Sequence, residues 1–178
     1  MILTSDHGES LGEHGIYFDH HGLYEVSLRV PLILYSECLG KGVISGTVTH
    51  ADIVPTILDV VGVHPTSIEF DGISLLSTIE GKHNLSERPA IAIETYTEKK
   101  ISIKCNEWKL ILSQKNGICN YCGVMHGDVI ELYNIKEDPN EVSNIAKKRP
   151  EIVNELKRRF IKDILKFRLM NLKYKASR

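Results

Sequence analysis

MILTSDHGESLGEHGIYFDHHGLYEVSLRVPLILY, residues 1–35, places a turn region rich in histidine and acid between two apolar runs. The first run, MILTS, has the length of a strand and ends in polar residues, so it predicts a strand delivering Asp6 and His7 at its C-terminal end. Residues 29–35, RVPLILY, predict a second buried strand, with Pro31 near its start where a missing N–H is tolerated. Further on, Asp52 is the expected N-cap of a helix that has Pro55 in its first turn, Ile57, Leu58 and Val61 as an apolar stripe, and Gly62 as its stop. Strand, polar turn, strand and helix in that order predict an α/β sheet domain.

The turn region carries the chemistry. Residues 5–25 hold four histidines, two aspartates and three glutamates. An aspartate followed by a histidine at a strand end sets a hard carboxylate oxygen and an imidazole nitrogen within reach of one point, and Gly8 lets the backbone turn tightly there. Asp6 and His7 are therefore candidate metal ligands. Asp19-His20-His21-Gly22 brings two more imidazoles on a segment too rich in glycine and charge for a strand or helix, and loops of this kind often carry catalytic groups. Plainer readings exist for each residue. An aspartate after a strand is a common turn former, Glu13 and His14 read best as a surface turn, and of His20 and His21 only one ring need point inward.

From residue 88 the texture changes. Residues 89–95, 101–105, 108–113 and 129–134 are short β-type runs joined by polar turns, which predicts a small antiparallel sheet. The expected division is residues 1–87 for the α/β part and residues 88–178 for an α+β subdomain. Its final helix starts with Pro150, and Ile152, Val153, Leu156, Phe160, Ile164 and Phe167 fall at helical spacing, so it packs across the sheet. Residues 147–178 hold 12 Lys or Arg against three acids, while residues 1–146 hold 10 against 20. A solvated basic helix face accounts for this, and no nucleic-acid partner is expected.

A chain of 178 residues with 42% hydrophobic and 25% charged content is not a disordered protein. No apolar run approaches the roughly 20 residues needed to cross a bilayer. The opening residues lack a signal-like pattern, so a cytoplasmic location is expected unless an upstream segment overturns it. Cys38, Cys105, Cys119 and Cys122 are expected to be reduced. The piece Cys119-x-x-Cys122-x-x-x-His126 looks like half a zinc site, but no second pair follows at usual spacing, which favours a loop with incidental thiols.

Several motifs in order carry a resemblance. T-S-D-H-G-E-S-L-G-E-H-G (residues 4–15), Tyr24-Glu25, R-V-P-L-I-L (29–34), H-A-D-I-V-P-T-I-L-D-V-V-G (50–62), N-E-W-K-L-I (106–111) and E-L-Y-N with D-P-N-E (131–134, 138–141) resemble the second half of the sulfatases of the alkaline phosphatase superfamily. The resemblance implies a partial sulfatase-like α/β sheet domain, followed by a small antiparallel sheet with a packed terminal helix. It implies a divalent cation held by Asp6 and His7, calcium first, with manganese, magnesium or zinc as alternatives. The family places a sulfate-contacting lysine four residues before the Tyr-Glu pair, where this chain has His20. His20 is thus the expected catalytic ring, with His21 as second choice. The implied substrate is a sulfate ester of a small molecule or carbohydrate. A phosphodiester or phosphonate hydrolase, a phosphoethanolamine transferase or a non-catalytic remnant are the alternatives. The family's nucleophile is a formylglycine made within (C/S)-x-P-x-R, and no such motif occurs in these 178 residues. The chain alone is therefore expected to be inactive, and to associate with a separately encoded N-terminal half or with itself.

Overall fold

The computed structural model of the chain describes residues 1–37, 39–95, 97, 99–113 and 118–165. Cys38 and Phe167, both named above, lie outside the described residues. In chain order the elements are β1 (Ile2–Thr4), β2 (Ser10–Leu11), β3 (Tyr17–Asp19), α1 (Glu25–Leu28), β4 (Leu32–Leu34), α2 (Ile53–Val60), α3 (Leu76–Ile79), β5 (Ala90–Glu94), β6 (Lys100–Cys105), β7 (Trp108–Ser113), β8 (Ile130–Asn134) and α4 (Pro150–Arg159). Strands β1 and β4 pair, β2 and β3 pair, and β5-β6-β7-β8 form a four-stranded sheet. The architecture is mixed α/β with a small antiparallel sheet, as expected.

Strand β4 is shorter than the expected run of residues 29–35. Arg29 is taken up as the C-cap of α1, its N–H donating to the Glu25 carbonyl, and Pro31 has no N–H to donate to a ladder.

The chain divides into two compact units, Leu34–Ala90 with Met1, and Ile2–Ile33 with the chain from Ile91 onward. Residues 2–33, expected beside the first helix, thus share their unit with the C-terminal sheet.

The first unit centres on Asp52. That residue holds the expected N-cap position of α2, but its backbone is already helical and its side chain does not cap that helix. The carboxylate instead accepts the Thr49 N–H at 2.7 Å and the Ile73 N–H at 2.9 Å. It also takes a bidentate pair from Arg88 at 2.6 and 2.7 Å. Burial alone would raise its pKa, but the Arg88 guanidinium and these N–H donors outweigh burial and hold it below the usual carboxylate value. The chain crosses Ala51 so closely at Gly72 that a Cβ there would collide with the Ala51 carbonyl oxygen.

In the second unit, β6 and β7 pair antiparallel with Cys105 opposite Trp108, and β7 and β8 pair with Trp108 opposite Asn134. Asn106 closes the first hairpin at φ 54°, a conformation asparagine adopts more readily than most residues. Alternation puts Ile101, Ile103, Cys105, Leu110, Leu112 and Leu132 on one face. Ile152, Val153, Leu156 and Phe160, on the inner stripe of the terminal helical region, close this core together with Ile164. The other face carries Lys100, Ser102, Lys104, Lys109, Glu131 and Tyr133, and it positions the site.

Candidate functional site

Residues 5–28 form an arm held by its own backbone and by the polar face of the sheet. The Gly8 N–H donates to the Ser27 carbonyl at 2.8 Å, and a Cβ at Gly8 would collide with the Val26 carbonyl oxygen, so only glycine allows this approach. Tyr24 is buried and its hydroxyl donates to Glu131 at 2.9 Å, while the Tyr133 hydroxyl donates to the same carboxylate at 2.6 Å. Glu25 receives Lys104 Nζ at 2.9 Å and Lys109 Nζ at 3.0 Å. Lys109 also lies 2.8 Å from Glu141, whose other oxygen accepts the Glu25 N–H at 2.5 Å. Burial would push the Glu25 carboxyl up, but the two lysines bring it below its ordinary value. For Glu141 and Glu131 burial prevails and raises the carboxyl above it, against the pull of Lys109 and Lys100 respectively.

His14, read from sequence as a surface turn, departs from that reading. Its ring stacks on Tyr24 with centroids 3.5 Å apart and planes 3° from parallel. Burial, then the charges of Lys109 and Lys100, make it harder to protonate than an ordinary histidine.

The end of β1 delivers Asp6 and His7 to the near side of the arm. The Asp6 carboxyl lies below its usual value, through its own backbone N–H first and then through the adjoining His7, whose N–H meets Asp6 Oδ1 at 3.1 Å. His7 Nδ1 is engaged by the Gly8 carbonyl oxygen at 2.8 Å, leaving Nε2 3.7 Å from Asp6 Oδ2. The His20 ring stacks on His7 with centroids 3.9 Å apart, and its Nδ1 lies 3.9 Å from Glu9 Oε2 and 3.6 Å from Asp19 Oδ1. His7, Glu9 and His20 each present a ligand atom within 4.8 Å of the others. The structure thus brings His20 to His7 and sets Asp6 beside His7. It adds Glu9, which sequence reading passed over as one acid among several.

Carboxylate beside imidazole can hold a divalent cation, the carboxylates suiting calcium, magnesium or manganese and the imidazole suiting zinc. Asp6 Oδ2 and His7 Nε2 are separated by a span that a cation with oxygen ligands at about 2.3–2.6 Å can bridge. The Asp6 side chain is 87% exposed, leaving its oxygens accessible to such an ion.

His21 turns the other way. Its side chain is buried, its Nε2 lies 3.7 Å from Cys119 Sγ, and its ring meets His126 edge-on at 5.1 Å. His126 Nε2 in turn lies 2.9 Å from Cys122 Sγ. Burial raises the Cys119 thiol above its ordinary value. The sequence pointed to three members of this group, Cys119, Cys122 and His126, though as a loop with incidental thiols. Its fourth member lies 98 residues earlier than Cys119, beyond the reach of a local spacing rule.

Comparison with known proteins gives these residues their context. The family described as N-sulphoglucosamine sulphohydrolase, C-terminal, matches residues 12–166. An N-acetylglucosamine-6-O-sulfatase of Bacteroides thetaiotaomicron is 32% identical over 172 residues, covering 88% of this chain and 29% of that protein. Arylsulfatase K of Homo sapiens is 30% identical over 169 residues, with 88% and 29% covered. A structure solved in complex with its substrate D-glucosamine-2-N,6-O-disulfate superposes with a TM-score of 0.66 at 29% identity, covering 89% of this chain and 33% of that one. The chain spans about a third of the length of these relatives. Sulfatases generally use a divalent cation, which fits the donor set at the end of β1. No helix among the described residues is long and apolar enough to cross a membrane. The chain belongs to the sulfatases, sulfuric ester hydrolases of the alkaline phosphatase-like superfamily, and corresponds to their C-terminal portion.

Proposed function

We propose that this chain supplies the cation-holding and ester-contacting side of a sulfatase centre, with Asp6 and His7 as cation ligands and His20 as the ring that faces the sulfate ester. The observation that carries the reading is the stack of His20 on His7, which sets a second imidazole beside the donor pair at the strand end. Calcium is the first choice of ion, and when bound it would offset the negative charge of the sulfuryl oxygens.

The chain's own residues do the rest. The Gly8 carbonyl accepts a hydrogen bond from His7 Nδ1–H, which holds that tautomer and leaves the Nε2 lone pair for the ion. His20, in the place of the family's lysine, donates an imidazole N–H to the ester and can deliver that proton to the leaving oxygen. Glu9 and Asp19 flank the ring and orient it. His21, the alternative ring, is withdrawn toward Cys119 and does not fill this role in our reading. The substrate class we favour is a sulfated carbohydrate, because relatives named for N-acetylglucosamine 6-sulfate match most of the chain.

In this reading residues 1–87 correspond to the cation-bearing part of the family's α/β domain and residues 88–178 to its C-terminal subdomain, with the arm packed in one compact unit with the sheet of that subdomain. The nucleophile then comes from sequence equivalent to the remaining two-thirds of the relatives, in the same polypeptide or a separate one, and the 178 residues alone do not turn over ester. The test uses the complete enzyme with an aryl sulfate and an aryl phosphodiester. His20→Ala should lower kcat/KM for the sulfate by about 10²–10⁴-fold, with His20→Lys recovering part of the loss. Unchanged turnover in His20→Ala, or a preference for the phosphodiester, would overturn the proposal.

A further inference from the structure

The group on the far side of the arm is separate from the candidate cation site. His21, Cys119, Cys122 and His126 each present a ligand atom, and these atoms all lie within 4.8 Å of one another. His21, Cys119 and His126 are buried and Cys122 reaches the surface. We propose that these four side chains bind one zinc ion in a closed, structural site that fastens the arm to the loop between β7 and β8.

The donor set selects the ion. Two thiolates and two imidazoles favour zinc over calcium or magnesium, which take oxygen ligands, and four protein ligands leave no position for water or substrate. Two thiolates also cancel the charge of a divalent ion, so the filled site adds no net charge to a buried place.

The distances agree. Ligands at about 2.3 Å for sulfur and 2.0–2.1 Å for nitrogen, arranged tetrahedrally, stand about 3.6 Å apart. His21 Nε2 and Cys119 Sγ are at 3.7 Å. Cys122 Sγ and His126 Nε2, at 2.9 Å, need only move apart by a fraction of an ångström.

The surroundings are those of a metal site. His21 Nδ1 lies 3.3 Å from Asp19 Oδ2, close enough for an ion pair though not aligned as a hydrogen bond, and this aims Nε2 at the sulfur. The Tyr121 N–H points at Cys119 Sγ at 3.4 Å. The Cys119 N–H donates to the Val124 carbonyl at 2.8 Å and the Gly123 N–H to the Cys119 carbonyl at 2.9 Å, so the two thiols sit on one tight turn. Gly123 holds φ 75° in that turn, a conformation that suits glycine. Lys100 Nζ donates to the His126 carbonyl at 2.5 Å, tying the last ligand to β6.

The consequence for the candidate centre is positional. His20 immediately precedes His21, so zinc would fix one backbone neighbour of the ester-facing ring without touching substrate.

The 178-residue chain, purified without chelators, should retain about one zinc per molecule through dialysis, by elemental analysis. Replacing zinc with cobalt should give the visible bands of a tetrahedral ion and thiolate-to-cobalt charge transfer, a readout that needs no variant to fold. Cys119→Ser and Cys122→Ser should lose the metal, Asp19→Asn should weaken its binding by about 10–100-fold, and His7→Ala should keep it. Three results would each overturn the proposal: no bound zinc and no cobalt charge transfer, zinc that is lost in His7→Ala yet kept in Cys122→Ser, or a Cys119–Cys122 disulfide in the freshly isolated protein.

Discussion

Replacing Lys109 by methionine tests the polar face that holds the arm. The methionine keeps the aliphatic stem but removes the cation that lies 3.0 Å from Glu25 and 2.8 Å from Glu141. At an effective dielectric of about 20, each contact is worth about 6 kcal/mol of raw attraction, most of it offset by the cost of dehydrating the ions. Glu25 retains Lys104 at 2.9 Å. Glu141, 2% exposed, is left with the Glu25 N–H alone. Removing one partner of a buried pair costs about 3–5 kcal/mol, and that is the expected loss. The double variant Lys109→Met with Glu141→Gln carries no orphan charge and should recover at least half of it. The pH dependence has a definite sign. Burial already raises the Glu141 carboxyl, and without Lys109 it rises further. A carboxyl raised on folding costs nothing below its unfolded value of 4.5 and costs progressively more as pH climbs above it. The variant should therefore lose more stability at about pH 7.5 than at about pH 5. Guanidinium unfolding followed by the single tryptophan, Trp108 in β7, reports it directly. A loss under about 1 kcal/mol at both pH values, or a double variant as unstable as the single one, would refute the argument.

Arg88→Met leaves the Asp52 carboxylate without its bidentate partner and should cost about 3–5 kcal/mol by thermal or denaturant unfolding. Because the folded Asp52 carboxyl sits below its unfolded value of 3.8, that contribution is present above this pH and disappears as pH falls through the folded value, so acid unfolding of Arg88→Met should begin at higher pH than in the parent. Leu132→Ala, at a fully buried position under α4, should cost about 2–5 kcal/mol while leaving metal binding unchanged. Asp6→Ala should weaken calcium or manganese binding in a calorimetric titration, and an unaltered isotherm would remove Asp6 from the cation site.

Local patterns in the sequence carried most of the second unit. The alternation of β6, the Asn106 turn and the stripe Ile152, Val153, Leu156 and Phe160 each follow from neighbours a few residues apart, and β6, β7 and β8 agree with the expected bounds to within about one residue. Helix α4, in contrast, ends at Arg159, short of the stripe expected to run on to Phe167, with Phe160 out of helical conformation as its C-cap. What local pattern could not give was pairing at a distance. Asp52 looks like a helix cap until Arg88, 36 residues on, takes its carboxylate. Lys100 and Lys109 stand on the polar face of the sheet, yet both are buried, covered by Tyr24 and Glu25 of the arm and by Glu141. His14 follows the same logic, since its partner Tyr24 becomes a neighbour only when the arm folds back. For the candidate site, Asp6 and His7 were proposed from the strand end and His20 from the family resemblance, whereas Glu9 and the grouping around His21 needed three dimensions.

The attachment of the arm through Glu25 behaves as an index mark rather than an adhesive. An apolar face tolerates sliding, because one aliphatic side chain replaces another at small cost. Here a slip by one residue would press Tyr24 or Val26 against Lys104 and Lys109, leaving Lys104 without its carboxylate and the buried Lys109 with Glu141 alone. The reach of His20 is counted back from that mark, so lengthening the chain between His21 and Tyr24 would move the ring away from His7, while lengthening it beyond Leu28 would leave the ring where it is.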